Sequence, residues 1–152
     1  MASIFGILQN GPLIAAMLAW FTAETMKLII RFFHGGMRTW PLLWGSGGMP
    51  SAHSATVCAL ALSIGWQEGF DGYPFAIAAV LALIVMYDAC GVRMAAGKQA
   101  RALNVLRETL ASTQAAPEKK LRESIGHTRL QVVAGALWGM LVATLLTLFL
   151  FQ

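Results

Sequence analysis

Charge is what this sequence has least of. Lys, Arg, Asp and Glu supply 12% of its 152 residues, where soluble domains carry about 25%, so a water-facing surface is excluded for most of the chain. Acidic residues are the scarcer sign, 7 against 11 basic. Cysteine is scarce too. Cys58 and Cys90 lie inside apolar stretches with neither a partner spacing nor a metal pattern, and read as small core residues. No Lys or Arg precedes the first apolar run, so a secretory signal peptide is not expected at residues 1–11. Internal repeats and low-complexity linkers are missing as well. What is there is hydrocarbon: 57% of the residues are hydrophobic, and residues 130–151 run without a charge. Such a run crosses a bilayer core of about 30 Å.

The apolar runs predict an all-α integral membrane bundle of about four transmembrane helices in a single domain over 1–152. The spans fall near 12–33, 50–66, 73–94 and 128–151. Pro12 and Pro50 suit first helical turns. The second span is the short one and is expected to end below the membrane surface. Trp66 and Tyr73 flank the turn at 67–72 as an aromatic belt, and Trp40 and Trp44 suit the interface in the loop 34–49. Beyond the third span Ala100, Leu103, Leu106 and Leu110 recur at helical spacing while Arg101, Asn104 and Arg107 face elsewhere. This predicts an amphipathic helix resting on the bundle or on lipid. A second short helix is expected from Pro117 to just before Gly126.

The loops set an orientation. The second holds Glu68 and Asp71 and no base, while the first and third hold nearly all the Lys and Arg. The positive-inside rule then puts loops one and three in the cytoplasm and both termini outside, in the cell's inner membrane. With the basic residues in loops between apolar spans, the net charge of +4 points to anionic lipid; nucleic acid is not an expected partner.

Four polar clusters meet at that cytoplasmic end: Glu24, Lys27 and Arg38; the segment 47–54 with Ser51 and His53; Asp88, Arg93 and Lys98; and His127 with Gln131. Ionisable groups beside membrane spans are costly and therefore functional candidates. Singly, Lys27 and Arg31 could snorkel and Asp88 and Arg93 could form a structural ion pair; convergence favours a site. Cationic side chains and the free N–H groups of a helix starting near Ser51 suit a phosphate, and Gly47-Gly48 lets backbone approach it. One histidine can attack phosphorus while the other protonates the leaving alkoxide. Gln131, one turn beyond His127, is placed to orient its ring. No Cys, His, Asp or Glu cluster has ligand spacing, so no metal and no other cofactor is expected.

At these residues the chain resembles the type 2 phosphatidic acid phosphatase superfamily, which includes lipid phosphate phosphatases and is related to vanadium haloperoxidases. It is most similar to the divergent small branch found in bacteria and plastids. The motif-bearing stretches are Gly47-Gly48-Met49-Pro50-Ser51-Ala52-His53-Ser54, the segment from Asp88 through Arg93 and Lys98 to Ala100, and Gly126-His127-Thr128 followed by Gln131. The resemblance implies His127 as the nucleophile forming a phosphohistidine and His53 as general acid. It implies Lys27, Ser51 and Arg93 as phosphate binders, helped by the Ala52 backbone. Three departures stand out. Lys27 and Arg38 are eleven residues apart, wider than the family's first motif. Leu121 stands where an Arg is usual, which nominates Arg93 and then Arg122. Gln131 replaces a carboxylate, so the site lacks a charge that would stabilise the imidazolium, unless Asp88 or Glu24 supplies it.

The function expected is hydrolysis of a phosphomonoester on a lipid headgroup: phosphatidylglycerol phosphate, then phosphatidic acid, then polyprenyl phosphates. The alternatives are a non-catalytic lipid-phosphate-binding or transport protein and a structural subunit of a membrane complex. Four spans are few for a catalytic membrane domain, which is consistent with a homodimer. The spacing of Gly135 and Gly139 suits either a dimer seam or close packing within one chain.

Overall fold

The computed structural model describes residues 4–35, 48–110, 120–123 and 125–150. Within them the fold is all-α, without strands. After a 3-10 turn at Ile4–Gln9 come α1 (Gly11–Gly35), α2 (Ala52–Glu68), α3 (Tyr73–Cys90), α4 (Val92–Leu110) and α5 (Arg129–Leu150). Three helical stretches, Gly11–Phe33, Tyr73–Leu110 and Arg129–Phe149, are long and apolar enough to cross a membrane. At 17 residues and about 1.5 Å per residue, α2 is shorter than a full span. It is the central helix, packed against α1, α3 and α5.

The packing is inverted relative to a soluble protein. The interior is built from Ala15, Ala19 and Ala23 of α1, Ala52, Ala55 and Ala59 of α2, and Ala143 of α5. Large side chains such as Phe21, Ile77, Leu83 and Leu137 point outward. In hydrocarbon an outward Leu costs nothing, and helices associate through close backbone approach at small residues. On α1 those residues recur every fourth position, and on α2 at intervals of three and four. A Cβ on Gly135 would strike the Ser51 carbonyl, and one on Gly139 the Ala55 carbonyl, so the glycine pair is used within the chain, against α2. Trp138 Nε1 donates to Thr22 Oγ1 (3.0 Å) and links α5 to α1.

The helix ends follow from local chemistry. Asn10 Oδ1 accepts from Leu13 N–H (3.0 Å) and opens α1, with Pro12 in the first turn. Ser51 caps α2 through Ser54 N–H. Two expectations are corrected. The third helix stops at Cys90, because Gly91 (φ −104°, ψ −85°) leaves helical geometry before α4 begins. The short helix expected before Gly126 is not found among the described residues 120–123 and 125; residues 111–119 lie outside the description. The reason is Asn104, fully buried on α4. Its side chain donates to Leu121 C=O (2.8 Å) and Glu123 Oε1 (2.8 Å) and accepts from Leu121 N–H (2.9 Å). Backbone groups a helix would use internally are taken by one amide.

Candidate active site

The starts of α2 and α5 are tied together, and this tie makes the site. Ser51 N–H donates to Gln131 C=O (3.0 Å), and His127 N–H donates to Ala89 C=O at the end of α3 (3.0 Å). Gly126, at φ +94°, lies against the backbone of Arg93 and Met94 where a Cβ would collide, so only glycine fits both the turn and the contact. His127 is therefore held by three elements at once. Its ring lies 6.3 Å from that of His53, centroid to centroid, with planes at 75°.

His127 is 5% exposed, and neither ring nitrogen has a hydrogen-bond partner among the described residues. Burial pushes its pKa below the ordinary 6.5, and the positive charges of Lys27, His53 and Arg93 push the same way against Glu24. The neutral ring, the form that can attack an electrophile, is thereby favoured. His53 stands on the first turn of α2 with its side chain exposed.

Lys27 is buried at the cytoplasm-facing end predicted for α1, and its ammonium pairs with Glu24 at 2.7 Å. Gly48, at φ +112°, lies against the Lys27 stem and the Arg31 guanidinium, leaving little room for a side chain. Arg31 thus belongs at this end of the bundle beside Gly48. Snorkelling is the alternative reading for both Lys27 and Arg31, and the two lie together against Gly48. Arg93 Nε pairs with Asp88 Oδ2 at 2.6 Å, so the ion pair and the site residue are the same group. Ala52, buried, is the first residue of α2, where N–H groups lack intrahelical acceptors.

Other expected residues fall elsewhere. The Gln131 carboxamide does not reach His127: its oxygen accepts from Thr128 N–H (2.9 Å), and Thr128 Oγ1 accepts from Gln131 N–H (3.3 Å). This is a capping box at the start of α5, and it corrects the expected ring-orienting role. Ser51 is fully enclosed, and its hydroxyl oxygen accepts from Ser54 N–H (3.4 Å) and Oγ (3.1 Å), which fixes the helix start. Lys98 lines a shallow pocket of about 320 Å³ with Met94, Gly97, Arg101, Glu123 and Ile125. Arg122 follows Leu121, which is clamped at Asn104, eleven residues along α4 from Arg93, or about 16 Å of helix. Arg38 lies outside the described residues. Among those residues no three His, Cys, Asp or Glu side chains converge as a metal set.

Residues 8–142 match the model of the divergent PAP2 family. The chain is also similar to the membrane protein YuiD of Bacillus subtilis (strain 168), itself described as uncharacterised. The two are 35% identical over 154 residues, covering 94% of this chain and 98% of that protein. No solved structure gives a significant match.

Proposed function

We propose that this chain, which belongs to the divergent PAP2 family, is a membrane lipid phosphate phosphatase acting through a phosphohistidine. Family membership supports the reading at the level of a phosphatase-related membrane protein. The observation that carries the finer reading is a buried, unpartnered His127 facing His53 across 6.3 Å amid Lys27 and Arg93. The phosphate monoester sits between the rings, its charge met by Lys27, Arg93 and the N–H groups opening α2. A neutral His127 nitrogen forms the N–P bond while the P–O bond to the alcohol breaks. His53 gives the departing alkoxide its proton. Water, deprotonated by His53, then cleaves the N–P bond and releases phosphate. The site faces the cytoplasmic leaflet, and the substrates in order are phosphatidylglycerol phosphate, phosphatidic acid and polyprenyl phosphates.

The test is phosphate release from short-chain forms of these lipids by the purified protein. His127→Ala is expected to fall to background and His53→Ala by about 10²–10⁴-fold, the range for a general acid. Equal slow release from wild type and both variants would end the enzyme reading. A second reading, a lipid-phosphate-binding protein without turnover, is favoured by one feature: among the described residues no carboxylate bonds to the ring of His127, Glu24 and Asp88 being paired with Lys27 and Arg93. In that case the lipid phosphate still binds, and binding weakens with Lys27→Ala.

A further inference from the structure

The helix α4 has three sectors. One is packed: Gly97 lies within contact of the Glu123 and Ile125 backbone, and Asn104 grips Leu121. The opposite sector is open and, apart from the exposed Gln99, apolar. Val92, Leu103, Leu106 and Leu110 are 61%, 53%, 54% and 46% exposed, and Ala95, Ala96 and Ala102 lie exposed among them. At 100° per residue these seven span an arc of roughly 120° with no charge in it. The third sector is the pair of flanks, with Arg93 and Arg107 on one side and Lys98 and Arg101 on the other. Of the other helices only α3 touches α4.

We propose that the open face of α4 lies in the headgroup layer of an anionic membrane. Three occupants could cover such a face: lipid, a second copy, or nothing. The residues at 92, 96, 99, 103, 106 and 110 repeat at heptad spacing, so self-pairing is the serious competitor. Charge decides between them. Besides Arg93, which is paired with Asp88, the helix carries three cations against one carboxylate, Glu108, so two copies side by side repel, whereas a negatively charged leaflet attracts the excess positive charge. Lys98 and Arg101, both exposed, also stand where they can lay their aliphatic stems along the apolar arc and lift their charges to water. Connectivity agrees. The helix begins one residue after the membrane-crossing α3, and the strand it clamps runs back to His127 at the mouth of α5. Anchoring α4 therefore fixes the depth of the segment that carries His127.

The experiment places a single nitroxide in turn at 101, 103, 106 and 108 of the whole chain, with Cys58 and Cys90 replaced by Ala. The protein is reconstituted in phosphatidylcholine vesicles with or without phosphatidylglycerol. Labels at 103 and 106 are expected to be open to oxygen and closed to a water-soluble nickel chelate when phosphatidylglycerol is present. Labels at 101 and 108 should show the reverse, so the oxygen-to-nickel ratio differs several-fold between the two pairs. Removing phosphatidylglycerol should raise nickel access at 103 and 106. Nickel access at 103 and 106 in the anionic vesicles overturns the proposal. So does closure to both reagents with dipolar broadening, which marks a second copy. All four sites are exposed, so labelling leaves the Gly97 and Asn104 contacts in place.

Discussion

Gln131 separates two roles that sequence spacing alone could not. A position one turn beyond His127 suits a ring-orienting side chain, but the same position is the third residue after an N-cap threonine, and the capping box is what forms. Glutamate satisfies that box as well as glutamine does, and its charge suits a helix N-terminus. Gln131→Glu should therefore raise thermal stability by about 0.5 kcal/mol and leave phosphate release nearly unchanged. Gln131→Ala should lose about 1 kcal/mol. A thermal melt in detergent beside a release assay reads both. A large rate gain from Gln131→Glu would mean that the side chain reaches His127 after all. The ring itself supplies a pH signature. Its folded pKa lies below the 6.5 of a free histidine, so the unfolded chain takes up the proton more readily. The resulting linkage leaves stability intact above 6.5 and erodes it as pH falls toward the folded value. Melts recorded on either side of 6.5 should diverge, and His127→Gln should bring them together. The acid limb of phosphate release should likewise lie below 6.5.

At the scale of elements, two contacts hold the site and both are testable. Gly135 on α5 meets the Ser51 carbonyl with no space for a methyl group. Gly135→Ala must push α5 off the start of α2, the turn that carries His53. Overpacking of this kind costs about 1–3 kcal/mol, so both the melting temperature and phosphate release should drop. Leu137→Ala, on the exposed face of the same helix, should change neither much. Asn104→Leu removes three hydrogen bonds to the segment that leads to His127, two to the part-buried backbone of Leu121 and one to the Glu123 carboxylate, at about 0.5–1.5 kcal/mol each. Protease cutting between residues 120 and 126 should then accelerate. The helices themselves were legible because long uncharged runs leave the chain no other way to satisfy its backbone in lipid. The irregular course of residues 120–123 was not, since it depends on the tertiary contact with Asn104. Asn104 read as a solvent-facing residue of an amphipathic helix, and nothing in its spacing marks it as a clamp. At the site, residue types announced His53, His127, Lys27 and Arg93, whereas the place of Lys98, beside Glu123 and Ile125, required the course of the chain along α4.

For the whole molecule the question is which way it faces. The bundle has a polar end, where α1 finishes and α2 and α5 begin, and an opposite end at the turn between α2 and α3. That turn holds exposed Glu68 and Asp71 with no Lys or Arg, and Trp66, Phe70 and Phe75 stack edge to face beside it. Acidic residues scarcely affect topology, but basic ones resist translocation. The histidine end carries them: Lys27, Arg31, Arg93, Lys98, Arg101, Arg107, Lys120, Arg122 and Arg129 among the described residues. The histidine end should therefore stay in the cytoplasm, where a newly made lipid phosphate would present its headgroup. A cysteine placed at Glu68 should react with a membrane-impermeant thiol reagent in intact cells stripped of any outer barrier. One at Arg101 should react only after the membrane is opened. The reverse pattern would turn the site toward the outside, and the chemistry would then serve lipid phosphates exposed there. Neutralising Arg101 and Arg107 together should weaken the bias, giving partial labelling at both positions, because orientation rests on the summed positive charge near the span ends.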